Sequence, residues 1–258
     1  MERREFLGTL TGGLLAAPIA AEAQQAAKVY RIAFLGSGSA SAHDFRMEAL
    51  RGGLRDLGYL EGKNIATEYR WAEGRFARLP DLAAELVRLK VDIIVTGGTA
   101  PTQAAMQATI AISVVMVGTG DPLRARLVAS LDRPGGNVTG LTQLGAEVAG
   151  KRLQILKDTV SNVARVAFLW SPANASHVTY FEELQGAARA LGLTLQSVHV
   201  REPQEIEKAF AGMMRERPDA LIVTADSAHE LRQAWIVDFT AKRRLPAMRP
   251  PAVTYSFN

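Results

Sequence analysis

Five short segments carry the residues best suited to chemistry, and all five are rich in small polar side chains. They are Gly36-Ser37-Gly38-Ser39-Ala40-Ser41, Thr96-Gly97-Gly98-Thr99, Gly118-Thr119-Gly120-Asp121, Trp170-Ser171-Pro172-Ala173-Asn174 and Thr224-Ala225-Asp226-Ser227. Each follows an apolar run and precedes a helical pattern. Hydroxyls, exposed backbone N–H groups and helix N-termini at such places suit a small polar or anionic ligand. The same residues also cap helices and form turns without binding anything. Five of them at corresponding positions favour one shared cleft.

Sharper chemistries fail on spacing. Gly36 to Ser41 follows a strand pattern like a dinucleotide fingerprint, but Ser41 stands where the third Gly or Ala belongs. No Gly-Lys-Ser/Thr phosphate loop and no Gly-x-Ser-x-Gly elbow is present. His43, His177, His199 and His229 show no metal-ligand spacing and read as surface or loop histidines. Asp121 and Asp226 could form a carboxylate pair, or Asp226 could simply cap the last helix. Trp170 is either core or a stacking surface, and Asn174 is better placed to hydrogen-bond than to pack.

The chain of 258 residues has a formal charge of +4 and is 48% hydrophobic. The basic residues are scattered rather than clustered, which argues against a nucleic-acid surface. With no cysteine, disulfides, thiolate metal sites and cysteine nucleophiles are excluded. Residues 1–23 read as a secretory signal. Arg3-Arg4 precede Phe6-Leu7, an apolar run follows from Leu10 to Ala20, and Ala21-Glu22-Ala23 offers a small-x-small cleavage site. The paired arginines match the twin-arginine type, which exports folded proteins to the periplasm. The apolar run is roughly half the ~20 residues a spanning helix needs.

These polar segments need a scaffold, and the rest of the chain supplies one by alternation. Strand patterns at Val29–Leu35, Ile65–Trp71, Val91–Val95 and Val114–Val117 alternate with helical ones, notably Asp44–Leu57 and the leucine stripe from Phe76 to Leu89. Asp121–Thr142 differs, with a helix predicted around Leu127–Leu131 and then the loop Arg133-Pro134-Gly135-Gly136-Asn137-Val138-Thr139-Gly140. Alternation then resumes from Val148 to a last helix at Ala228–Arg243. This predicts α/β architecture: two doubly wound parallel-sheet lobes, with a single eight-stranded barrel as the alternative. In such sheets ligands bind beyond the carboxyl ends of the strands, where the five segments lie.

Taken together, Arg133-Pro134-Gly135-Gly136-Asn137-Val138-Thr139-Gly140, Asp121-Pro122, Leu127-Val128-Ala129-Ser130-Leu131, Gly150-Lys151-Arg152-Leu153, Trp170-Ser171-Pro172-Ala173-Asn174 and Arg243-Arg244-Leu245-Pro246-Ala247 are recognisable. The chain resembles ABC-transporter substrate-binding proteins of the type that includes tryptophan- and tyrosine-binding members. The likeness runs from Val29 to about Ala247. It implies a type I periplasmic-binding fold, with lobe one at 28–143 and lobe two at 144–248, joined by a hinge. It implies a monomer that closes on a small solute such as an amino acid and delivers it to an ABC permease and its ATPase, with no catalysis, cofactor or metal. The cleft residues carried over are Ser37, Ser41, Thr96, Gly97, Gly98, Thr99, Thr119 and Asp121 from lobe one, with Trp170, Asn174 and Asp226 from lobe two. Residues 249–258 depart from the family pattern, as a truncated frame would. An exported α/β hydrolase and an inactive, truncated binding-protein remnant are the competing readings.

Overall fold

The computed structural model describes residues 28–249 except Leu144. The proposed export signal at 1–23 and nearly all of the divergent tail lie outside the described residues. Within them the chain forms two open parallel sheets, each covered by helices, and not a closed barrel.

The first sheet has the order β2-β1-β3-β4-β5. Its strands are β1 (Tyr30–Gly36), β2 (Ile65–Trp71), β3 (Ile93–Gly97), β4 (Ser113–Gly120) and β5 (Val138–Gln143). Helices α1 (Ala40–Asp56), α2 (Leu79–Arg88) and α3 (Thr99–Ala108) connect them. In α2, Leu79, Leu82, Ala83 and Leu86 recur at helical spacing and are all buried, so one stripe faces the sheet. β1 is central and its last five residues are buried on both faces. Ala33 and Leu35 pack with the α2 and α3 side, while Ile32 and Phe34 pack with Met47 of α1 on the other.

The second sheet has the order β7-β6-β8-β9. Its strands are β6 (Arg165–Trp170), β7 (Thr194–His199), β8 (Ala220–Val223) and β9 (Ala247–Met248). The helices are α4 (Ala149–Thr159), α5 (Ala175–Leu191), α6 (Ile206–Arg215), α7 (Ser227–Glu230) and α8 (Gln233–Lys242). Phe168 heads one apolar layer with Leu153 and Leu184; Phe210 heads the other with Ile206, Met213 and Leu221.

The two sheets share a device at their amino edge. Asp92, just before β3, accepts a hydrogen bond from Arg31 N at 2.8 Å. Asp219, just before β8, accepts from Ala164 N and Arg165 N at 2.9 and 2.8 Å. Each carboxylate thereby ties the entry of a central strand to its neighbour. Those backbone bonds hold both carboxyls below the ordinary range.

Three local expectations change. No helix forms at Leu127–Leu131, because Arg126 adopts φ +55° and ends the turn that Asp121 begins. Leu127 and Val128 are nonetheless buried and close the bottom of the first core. The end of the Pro-Gly-Gly loop is strand β5, which pairs with β4 from Val114↔Val138 onward. Gly140 permits this: at φ +135°, a Cβ there would lie 2.0 Å from Met116 O. The last helix is broken into α7 and α8 by a turn at Leu231-Arg232.

Candidate functional site

Both sheets reverse their winding direction beside the central strand. In the first the reversal lies between β1 and β3, in the second between β6 and β8. At such a switch point adjacent loops leave in opposite directions and open a crevice beyond the strand ends. The loops at the two crevices are Gly36–Ser39 with Gly97–Thr99, and Ser171–Asn174 with Thr224–Ser227.

The two crevices face one another across a closed seam. A Cβ on Gly120, at the end of β4, would lie 2.5 Å from Ser176 Cβ at the start of α5. One on Gly74 would lie 2.7 Å from Pro203 Cγ and 3.0 Å from Leu231 Cδ1, and one on Gly38 3.6 Å from Ser227 Cβ. Arg124 of the first lobe spans the rim to Glu182 and Glu183 of α5, at 2.6 and 3.6 Å. A register shift in β4 between Val117 and Thr119 aims the strand end toward this contact, with Gly118 at φ +69°.

In the first lobe most of the expected residues serve the loop frame. Thr96 is fully buried and donates to Thr102 Oγ1 at 2.7 Å, which itself donates to Gly98 O. Gly98, at φ +95°, heads α3 and donates to Val117 O. It follows a half-buried Gly97. Thr99 Oγ1 accepts from Gly120 N at 3.1 Å, and Thr119 Oγ1 donates to Met116 Sδ. Ser37 is half-buried and its carbonyl accepts from Gly74 N. Asp121 accepts from Arg124 N at 3.0 Å, closing its own turn. Ser41 is exposed on α1; the cap of that helix is Ser39.

The second lobe gathers polar groups far from water. Asp226 is the N-cap of α7, its Oδ1 accepting from Ala228 N at 3.0 Å. Its side chain is 1% exposed and Oδ2 meets no hydrogen-bond donor. Ser171 Oγ, Ser227 Oγ and His229 Nε2 are likewise buried without a partner. Buried polar atoms are nearly always hydrogen-bonded, so four together in one crevice point to a ligand. Asn174 caps α5 through Ser176 N and Ser176 Oγ. Trp170 stacks on Phe181 at 4.9 Å and donates from Nε1 to Ser197 Oγ, so its indole lies within the apolar layer headed by Phe168.

Three of the four histidines depart from expectation. His43, His177 and His229 are buried, at 6%, 6% and 2% exposure; only His199 is exposed. Burial pushes all three imidazoles below their ordinary value, against an opposing pull from Asp226 on His177 and His229. His229 Nδ1 lies 3.2 Å from Thr224 O, which can only accept, so Nδ1 carries the proton and Nε2 a lone pair. Among the described residues no cluster of three His, Cys, Asp or Glu could hold a metal ion. The sequence did hold a signal for two of them. Each follows a helix cap by three residues, His177 after Asn174 and His229 after Asp226. A side chain there turns back toward the strand-end loop.

A closed seam between two doubly wound lobes, with a polar crevice inside it, is the geometry of a solute receptor. The model of the family described as ABC transporter substrate binding protein matches residues 32–249. The chain belongs to this family. Its members bind solutes and are not enzymes, which removes the hydrolase reading. A tyrosine-binding protein of Clostridioides difficile is 26% identical over 174 residues, covering 67% of this chain and 50% of that relative. The chain thus matches about half the length of that protein. Among solved structures, a conserved domain protein from Vibrio cholerae superposes with a TM-score of 0.80 at 26% identity, over 87% of this chain and 75% of the other. An ABC domain in complex with L-Trp from Streptococcus pneumonia gives 0.78 at 25% identity over the same shares. No helix among the described residues is long and apolar enough to cross a membrane.

Proposed function

We propose that this binding protein captures a free amino acid outside the cytoplasm for an ABC importer. Residues 28–143 and 144–248 act as the two closing lobes. The chain works as a monomer in the periplasm and hands its cargo to a permease driven by an ATPase. The observation that carries this reading is Asp226. A carboxylate oxygen held at the crevice with no donor is costly on its own and calls for a cation with N–H groups. The ammonium of an amino acid meets that need, and the bare Nε2 of His229 offers a second acceptor beside it. The N-terminus of α3 and the hydroxyls of Ser171 and Ser227 suit the carboxylate. The tyrosine-binding relative and the L-Trp complex support an amino acid of aromatic type.

The test is calorimetry with L-tryptophan, L-tyrosine and L-leucine against N-acetyl-L-tryptophan, which lacks the ammonium. Free amino acids should bind and the acetylated one should not. Asp226→Asn should weaken binding by about 2–5 kcal/mol, the range for truncating one partner of a buried charge pair. Equal binding of L-tryptophan and its N-acetyl derivative would falsify the ammonium assignment.

A further inference from the structure

We infer that His177 is a positioning residue of the solute site that holds its two loops only as a neutral imidazole, so that solute capture is coupled to the loss of a proton. This deepens the reading of Asp226 as the ammonium site and rests on it.

The geometry assigns the tautomer. Ser171 N donates to His177 Nδ1 at 3.2 Å, so Nδ1 bears a lone pair. Nε2 lies 3.3 Å from Ala225 O, an obligate acceptor, so Nε2 carries the proton. One buried ring therefore ties the end of β6 to the end of β8, the two strands whose loops diverge to make the crevice. Asn174 Nδ2, 3.4 Å from Nε2, is itself a donor and makes no bond to the Nε2–H, whose acceptor is Ala225 O.

The same ring stands 3.7 Å from Asp226 Oδ2, measured from Nδ1. With a lone pair on Nδ1 there is no bond, and Oδ2 stays free for an ammonium. A proton on Nδ1 changes both contacts at once. It sets two donors face to face at Ser171 N, and it supplies Asp226 with an internal cation that competes with the solute. Asp226 pulls the His177 ring toward its charged form. His229, beyond Asp226, senses His177, and Arg249 lies near His229 while pairing with Glu230 at 3.4 Å. Burial, the largest influence on His177, outweighs the pull of Asp226 and favours the neutral ring.

The sign follows by linkage. The solute-bound form holds fewer protons than the free form, so affinity falls as pH falls through the His177 range, below its ordinary value. For one proton the limit is about tenfold per pH unit. The carboxylate and ammonium of free L-tryptophan do not titrate between about pH 5 and 7.5, so the solute adds no slope of its own.

Two measurements decide the matter on the full chain. Calorimetry with L-tryptophan from about pH 7.5 down to 5 should show falling affinity in the wild type. In His177→Asn, which keeps an acceptor near Nδ1 but cannot titrate there, that slope should be reduced. An equal slope in the variant, or a flat wild type, overturns the inference. Nitrogen-15 NMR of the unliganded wild type, free of any folding effect of the variant, should show the Nε2–H tautomer at His177. An Nδ1–H tautomer sinks the inference by itself. Failure of the ammonium reading looks different: Asp226→Asn would then bind L-tryptophan like the wild type, or no amino acid would bind at all.

Discussion

Replacing Gly120 with alanine should weaken solute capture while leaving both lobes folded. The added Cβ would stand 2.5 Å from Ser176 Cβ and 3.0 Å from Ser176 Oγ, across the seam. Carbon atoms pack at about 3.5–4.0 Å, so the lobes must part there by about 1 Å. Overpacking of this size costs about 1–3 kcal/mol when the surroundings cannot relax. Here they can relax by opening, so the cost falls on the closed form and hence on binding. A loss of about five- to 150-fold in affinity follows from that range. The second substitution Ser176→Gly provides the control. It removes Cβ and Oγ, and the next atom, Ser176 Cα, is 3.8 Å away, an ordinary contact. The double variant should recover most of the affinity. The assay is calorimetry with L-tryptophan beside a thermal melt of the unliganded protein. Wild-type affinity in Gly120→Ala would show that the seam is not closed in the bound state. A large fall in melting temperature with no loss of affinity would place the strain inside one lobe.

Two further outcomes test other parts of the structure. Phe210→Ala should lower unfolding free energy by about 3–5 kcal/mol in denaturant titration, since the ring is fully buried against Trp235 and Phe239 of α8. A change under about 1 kcal/mol would mean that the layer collapses to fill the space. Arg124→Ala removes an exposed rim pair to Glu182 and Glu183, so it should cost at most about 1 kcal/mol of binding, and the difference should vanish at high salt.

Much of the architecture was legible because burial on both faces leaves a plain mark. Runs such as Ile93–Val95 and Ala220–Val223 are apolar throughout, and the helices between them show leucine stripes like that of α2. β5 left no such mark. It is built from Val138-Thr139-Gly140 at a sheet edge, where register against Met116 rather than hydrophobicity selects the glycine. The short β9 is similar, two residues recruited by pairing with Leu221 and Ile222. The missing helix at Leu127–Leu131 shows the converse. Its apolar residues are core, but the left-handed backbone at Arg126 holds them in a turn.

The site divides along the same line. Sequence by itself placed polar loops at the ends of five parallel strands, because a βα unit must put its strand-to-helix turn there. It offered Asp226 as a possible helix cap and Asn174 as a hydrogen-bonding residue, and both cap helices. What it could not give was who faces whom. Only the packed structure brings Ser171, His177, Asp226, Ser227 and His229 into one dry crevice, leaves Thr96 and Asp121 bonded within their own loops, and ties Thr99 to Gly120 at the end of β4. Local spacing governs caps and turns through hydrogen bonds a few residues long. The contact between β6 and β8 spans about fifty residues of chain, from Leu169↔Val223, and exists only once the sheet has formed. Three of the four histidines read as surface or loop residues are buried for that reason: burial is a property of the assembled lobe, not of the helix turn that carries them.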